Sequence, residues 1–140
     1  MVKNYVLDTS AIFSYTKSED GAETVEHILT GAERNKCKVY ISFISLMEVY
    51  YNSWQEKGED MAKELAVLLK SLPAQIVESS ERLILSAGRI KANKRLSVAD
   101  AIIVATAMEK SAVLIHKDPE LENVSQYVES LKLPYKPVKR

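Results

Sequence analysis

The sequence has few of the residues on which several classes of small protein depend. Its 140 residues include one cysteine, two histidines and four glycines. A single cysteine, Cys37, excludes an internal disulfide and has no partner at zinc-ligand spacing, so we expect it to be a small apolar filler. There is no glycine-rich phosphate loop either. Stability must therefore come from an ordinary hydrophobic core.

Neither an excess of one charge nor a long apolar run is present. Lysine plus arginine equals aspartate plus glutamate, at 19 each, so bulk charge does not indicate or exclude a nucleic-acid partner. No run approaches the ~18 apolar residues of a membrane span, and MVKNYVLDTS reaches an aspartate too early for a signal peptide. We therefore expect a cytoplasmic protein folded as a single domain over residues 1–140.

Apolar periodicity predicts strands that alternate with helices. Strands are predicted at 4–7, 39–42, 75–77 and 112–115, and helices directly after Asp8 and at about 21–35, 44–54, 61–72, 80–93 and 97–110. The tail at 133–138 is predicted to add an edge strand, with its two prolines away from the sheet centre. This order predicts an α/β protein, a three-layer α/β/α sandwich with a mostly parallel sheet of four or five strands.

Two aspartates follow predicted strands. Asp8 comes directly after the first strand, and Asp118 comes shortly after VLIH. Ligands of parallel sheets bind beyond the carboxyl ends of the strands, which favours a functional role for both residues. Each also has a structural alternative, because Asp8 suits a helix N-cap and an aspartate before proline often begins a turn.

Two further carboxylates lie within apolar segments. Asp100 is surrounded by small and branched side chains in LSVADAIIVATAM, and Glu48 lies along an apolar stripe in FISLMEVYY. A capping box begun by Ser97 explains an acid at position 100, but not the absence of a polar helix face around it. Burial of an unpaired carboxylate is so costly that a partner is expected.

A divalent cation is the partner that fits these carboxylates together. Several carboxylates at one sheet edge would repel one another unless a cation neutralised them. Oxygen ligands without cysteine or paired histidines select a hard ion, Mg²⁺ or Mn²⁺, which substrate phosphate commonly completes. The residues therefore predict metal-dependent phosphoryl chemistry.

Four blocks of the sequence, in order, resemble the PIN-domain nucleases. The blocks YVLDTSAI, SLMEVYY, LSVADAIIVATA and VLIHKDPEL are most similar to VapC-like toxins of toxin–antitoxin pairs. The resemblance implies a metal-dependent endoribonuclease acting on single-stranded RNA, a homodimer and a cognate antitoxin. It implies the catalytic residues Asp8, Glu48, Asp100 and Asp118, with Ser10 steadying Asp8.

Within this set, Asp8, Asp100 and Asp118 would hold the metal, with Glu48 binding directly or through water. The fourth block departs from the pattern, because His116 stands where many relatives have threonine or serine. Glu120 is an alternative to Asp118 as the last acidic residue, and His116 is either a ligand contact or a structural residue.

Two surface roles and the rival functions remain open. Lys91, Lys94 and Arg95 precede Asp100 and either steer RNA or complement a helix dipole. Tyr50 and Trp54 lie one turn apart and form either a partner face or core. A haloacid-dehalogenase-type phosphatase needs a second aspartate two residues after the first. Ser10 occupies that place, which argues against this class. The remaining alternatives are a PIN fold that binds RNA or protein without cutting, and a stand-alone RNA-processing nuclease.

Overall fold

A computed structural model describes residues 2–135 of the chain. Within them lie the strands β1 (Lys3–Leu7), β2 (Cys37–Ser42), β3 (Gln75–Val77), β4 (Val113–His116) and β5 (Ser130–Lys132). The helices are α1 (Thr9–Thr16), α2 (Ala22–Glu33), α3 (Phe43–Lys57), α4 (Glu59–Ser71), α5 (Glu81–Asn93) and α6 (Val98–Glu109), and a 3₁₀ segment covers Pro119–Val124. None of the helices in this part of the chain is long and apolar enough to cross a bilayer.

The five strands form one sheet in the order β3-β2-β1-β4-β5, and every pairing is parallel. The central strand β1 pairs with β2 on one side and β4 on the other, so that Tyr5 lies opposite both Val39 and Val113. Parallel neighbours end at the same edge of a sheet, which brings the residues after β1, β2 and β4 together. This arrangement confirms the predicted α/β fold.

Helices cover both faces of the sheet. Val6 and Leu114 belong to a core cluster with α5 and α6, whereas Leu7 and Ile115 belong to a second cluster with α1 to α4. Successive strand residues point to opposite faces, so adjacent positions in β1 and β4 supply the two clusters alternately. The result is the predicted three-layer sandwich.

Helix boundaries follow the capping residues of the sequence. The side chains of Asp8, Ser42, Ser80 and Ser97 accept backbone N–H bonds at the starts of α1, α3, α5 and α6. Gly58 separates α3 from α4 with a φ of 93°, a conformation that favours glycine. The two helices therefore form a helical hairpin.

The last edge strand lies earlier than predicted. Strand β5 covers Ser130–Lys132 instead of 133–138, of which 136–138 lie outside the described residues. Leu133 donates its N–H to the carbonyl of His116, and Pro134 has no N–H with which to continue the ladder. All three side chains of β5 are exposed, so no apolar alternation indicated the strand.

Candidate metal centre

Four elements bring carboxylates to the carboxyl edge of the sheet. Asp8 follows β1 and Asp118 lies two residues after β4, which is the neighbour of β1. Glu48 is in the second turn of α3, and Asp100 is the third residue of α6. The charges of Asp8, Glu48 and Asp118 all raise the pKa of Asp100, so these carboxylates lie near one another at this edge. Of the four, Asp100 and Asp118 have oxygens within 4.8 Å of each other.

Glu120 joins this group. One carboxylate oxygen each of Asp100, Asp118 and Glu120 lie within 4.8 Å of one another. The backbone N–H of Glu120 donates to Asp118 Oδ1 at 3.0 Å, a local turn that places both side chains on the same side of the loop. Asp118 and Glu120 are therefore not alternatives in the structure. We call Asp8, Glu48, Asp100, Asp118 and Glu120 the acidic cluster.

Asp8 is the deepest member of the acidic cluster, with 2% of its surface exposed. Its Oδ2 accepts hydrogen bonds from the N–H and the hydroxyl of Ser10. Among the described residues, its Oδ1 is the one buried side-chain oxygen or nitrogen without a hydrogen-bond partner. Burial raises the pKa of Asp8 to about 6, against the opposing effect of the Ser10 hydrogen bonds.

Asp100 is perturbed in the same direction. Burial, followed by the charges of Asp8, Asp118 and Glu48, raises its pKa to about 7. The Ser97 hydroxyl accepts the N–H of Asp100 at 3.1 Å, which confirms Ser97 as the N-cap. Val98, on the outer side of α6, is 62% exposed, so this one neighbour does not enclose the carboxylate as the sequence suggested.

A hydrogen-bonded link ties the first aspartate to the loop that carries the fourth. Ser10 donates its hydroxyl proton to Asp8, and the same oxygen accepts the N–H of Lys117 at 2.8 Å. The Lys117 side chain is 4% exposed, and its ammonium group donates to the carbonyl of Asp20 at 2.9 Å. Lys117 therefore fixes the β4 loop against the α1–α2 connection, a role that sequence reasoning missed.

Thr9 orients Glu48. Its Oγ1 lies 2.7 Å from Glu48 Oε1 and 2.9 Å from the hydroxyl oxygen of Ser45. A hydroxyl carries one proton and a carboxylate only accepts, so Thr9 donates to Glu48 and receives the proton of Ser45. This leaves Glu48 Oε2 outside the pair. Sequence reasoning missed this role of Thr9.

His116 is a structural support in this arrangement. It is 1% exposed, and its Nδ1 accepts the N–H of Asp118 at 3.2 Å. An accepting Nδ1 requires the neutral tautomer with the proton on Nε2, and burial lowers the pKa of His116 in the same sense. His116 thereby shapes the turn that presents Asp118.

The basic and aromatic residues predicted to have surface roles lie on different elements of the structure. Helix α5 ends at Asn93, so Lys94 and Arg95 lie in the following loop rather than on the helix with Lys91. The Lys91 ammonium group donates to the carbonyl of Leu96 at 2.8 Å. Tyr50 and Trp54 make an edge-on ring contact with centroids 5.7 Å apart, and Trp54 is 44% exposed. The aromatic pair is thus not part of the core.

The chemistry of the acidic cluster fits a hard cation. Its donors are all carboxylate oxygens, and the buried Asp8 Oδ1 lacks a proton donor among the described residues. The N-termini of α1, α3 and α6 also point their positive dipole ends at this edge. Such an oxygen-rich site, with one oxygen still unsatisfied, suits Mg²⁺ or Mn²⁺.

Comparison with known proteins gives one family and several similar structures. A family model described as the PIN domain matches residues 5–127. None of the curated protein sequences matches the chain significantly.

Three solved structures show how closely the fold is shared. VapBC2 from Rickettsia felis, bound to a DNA fragment from the promoter, has a TM-score of 0.72 and 15% identity, covering 94% of this chain and 99% of that chain. DNA-bound VapBC from Salmonella typhimurium has a TM-score of 0.71 and 19% identity, covering 94% and 98%. VapC20 of Mycobacterium tuberculosis, a sarcin–ricin loop cleaving toxin, has a TM-score of 0.68 and 18% identity, covering 93% and 99%.

Proposed function

The chain belongs to the PIN domain family, whose model matches residues 5–127, and from this and the acidic cluster we propose that it is a metal-dependent endoribonuclease. The observation that carries the proposal is the unpartnered Oδ1 of Asp8, buried beside other carboxylates at the carboxyl edge of the sheet. Such an oxygen is costly to bury unless a cation binds it. The reaction is hydrolysis of an RNA phosphodiester bond.

Asp8, Asp100 and Asp118 are the proposed direct ligands of one or two Mg²⁺ or Mn²⁺ ions. A bound ion of this kind lowers the pKa of a water nucleophile and offsets charge on the transferring phosphoryl group. Ser10 turns Asp8 so that Oδ2 is held and Oδ1 is free to bind. Thr9 holds Glu48 by Oε1, which leaves Oε2 to accept a hydrogen bond from the attacking water.

The biological role we propose is that of the toxin in a toxin–antitoxin pair. The similar structures include VapBC complexes from several bacteria, and one similar protein is described as a sarcin–ricin loop cleaving toxin. These likenesses support a cognate antitoxin as a partner of this chain, and the homodimer stays a prediction from the sequence resemblance.

Exposed apolar side chains on α3 and α4 support a protein partner. Trp54 is 44% exposed, Met47 56% and Val67 68%. Exposed aromatic and methionine side chains are typical of interface anchors. We therefore keep Tyr50 and Trp54 as the proposed partner face.

Calorimetric titration of Mn²⁺ tests the proposal, with protein freed of metal by a chelator. The wild type should bind Mn²⁺, and Asp100→Asn should bind it far more weakly, because that variant removes a central carboxylate of the cluster. Glu26→Gln is the matched control, since Glu26 is exposed on α2, a helix that contributes no residue to the acidic cluster. The wild type should then cut single-stranded RNA in Mn²⁺, and Asp100→Asn should not.

A wild type that binds neither Mn²⁺ alone nor Mn²⁺ in the presence of RNA would overturn the metal-dependent mechanism. Full RNA cleavage by Asp100→Asn would overturn the assignment of the site. Binding of RNA by the wild type without any cleavage would favour the non-catalytic alternative.

A further inference from the structure

A polar cleft lies beside the acidic cluster, between the α5–α6 loop and the 3₁₀ segment with the turn that follows it. The cleft measures about 450 Å³, and the α5–α6 loop side of it contains Lys94, Arg95 and Leu96. The opposite side contains Asn123, Val124 and Gln126, with Glu120 and Glu122 among the lining residues. The Glu122 carboxylate is already paired with Lys132 and Tyr135. Clefts of this size accommodate small ligands or single groups of larger ones.

The cleft is continuous with the acidic cluster through Glu120. A Glu120 carboxylate oxygen lies within 4.8 Å of oxygens of Asp100 and Asp118. The same residue lines the cleft. A polymer whose reacting phosphate lies at the acidic cluster can therefore place a neighbouring unit in the cleft.

The two cationic side chains of the cleft have no ion-pair or hydrogen-bond partner within the described residues. Within residues 2–135, neither Lys94 nor Arg95 forms an ion pair or a side-chain hydrogen bond, although carboxylates of the acidic cluster lie nearby. Lys91 differs, because its ammonium group donates a hydrogen bond to the carbonyl oxygen of Leu96. Unpaired lysine and arginine next to a phosphoryl-transfer site are suited to the backbone phosphates of a nucleic acid.

The opposite side of the cleft carries two side-chain amides that also lack a hydrogen-bond partner within the described residues. The side chains of Asn123 and Gln126 are exposed and form no hydrogen bond with another described residue. An amide has both donors and an acceptor, which allows it to pair with the edge of an unstacked base. Leu96 also lines the cleft and is 5% exposed, so it offers a small apolar surface against which a base can pack.

We propose that this polar cleft binds the nucleotide adjacent to the scissile phosphate of a single-stranded RNA. Lys94 and Arg95 hold the backbone phosphates, and Asn123 and Gln126 read the base, so the cleft sets which sequence is cut. The inference rests on the proposed function, because it takes RNA as the substrate of the acidic cluster. It assigns a specificity site where the sequence indicated only general steering by basic residues.

The test is the cleavage pattern on a pool of oligoribonucleotides with a randomised single-stranded segment. Product ends are sequenced, and base frequencies are compared at each position around the cut. The variants are the double replacement Asn123→Ala with Gln126→Ala, and Gln55→Ala as a matched control. Gln55 is an exposed amide near the end of α3, far from the helix start at the sheet edge.

The wild type and the control should share a base preference at a position next to the cut. The double variant should lose discrimination at that one position by about 5- to 150-fold, the amount expected from paired hydrogen bonds to a base edge. Lys94→Ala should instead weaken binding of all sequences alike and reduce the slope of log affinity against log salt by about one. An unchanged cleavage pattern and unchanged affinity in every cleft variant would overturn the inference.

Fluorescence anisotropy with labelled RNA distinguishes failure of the cleft proposal from failure of the nuclease proposal. It is measured on Asp100→Asn, which should not cut, with and without Lys94→Ala. If the wild type cuts nothing but Lys94→Ala still weakens binding, the nuclease proposal fails and RNA binding at the cleft stands. If no RNA binds at all, both are rejected.

Discussion

Replacing Asp8 with asparagine should stabilise the metal-free protein above pH 7. The pKa of Asp8 rises from the ordinary 3.8 to about 6 on folding, so its charged form is disfavoured in the folded state. The penalty is absent below pH 4, grows as the pH rises and is complete above the folded pKa. A difference of about two pKa units corresponds to about 3 kcal/mol, or about 10 °C in melting temperature for a chain of this length.

Asparagine preserves the local structure that this comparison needs. Its amide oxygen can replace Asp8 Oδ2 as acceptor of the two Ser10 bonds and as the cap of α1. Its NH₂ group then takes the position of Oδ1 and donates toward the neighbouring carboxylates. The same variant should lose metal stabilisation, which is about 2.7 kcal/mol in the wild type at a metal concentration 100-fold above the dissociation constant.

The assay is urea unfolding at pH 4 and pH 8, with a chelator and again with Mn²⁺, alongside Asp60→Asn as an exposed control. In chelator, the gain in stability of Asp8→Asn over the wild type should be complete at pH 8 and shrink to a small part of that value at pH 4. A variant that is less stable than the wild type at pH 8 in chelator would refute the reasoning, because Asp8 would then act as an ordinary cap.

Three further predictions concern the supports of the acidic cluster. Thr9→Val should weaken Mn²⁺ affinity about 10- to 100-fold in calorimetry, while Thr9→Ser and the distant Thr106→Val should leave it unchanged. Equal affinities in all three variants would show that Thr9 does not support the metal site. His116→Phe should lower Mn²⁺ affinity, and His116→Asn, which keeps an acceptor for the N–H of Asp118, should restore it. Equally low Mn²⁺ affinities in the two variants would show that the volume of the side chain matters rather than its hydrogen bond. Mn²⁺ affinity should fall as the pH drops below 7 and fall more steeply below 6, since Asp100 and then Asp8 must lose protons to bind; a flat profile from pH 5 to 8 would contradict the raised pKa values.

The sequence predicted those features whose cause lies in one short segment. Alternating and helical apolar patterns located β1 to β4 and the helices, because burial on one face or both leaves a local period. Asp100 stood out as one carboxylate within an apolar run. Strand β5 has three exposed side chains and is defined by backbone pairing with β4, so no pattern marked its position.

The supports of the site could not be predicted because they join distant parts of the chain. Thr9 reaches Glu48 across 39 positions, and the N–H of Lys117 reaches Ser10 across 107. Whether Asp118 or Glu120 faces Asp100 depended on a turn whose geometry is set by His116 and the 3₁₀ segment. Only the folded backbone decides such contacts.

The strand order has a consequence for synthesis of the chain on the ribosome. Strand β4 is an immediate neighbour of central β1, yet it is translated after the segments that carry Asp8, Glu48 and Asp100, and Asp118 follows it. A nascent chain that already contains Asp8, Glu48 and Asp100 still lacks the strand that completes the sheet edge. The proposed activity therefore cannot begin before β4 and Asp118 have been made, and a product truncated before residue 113 should lack it.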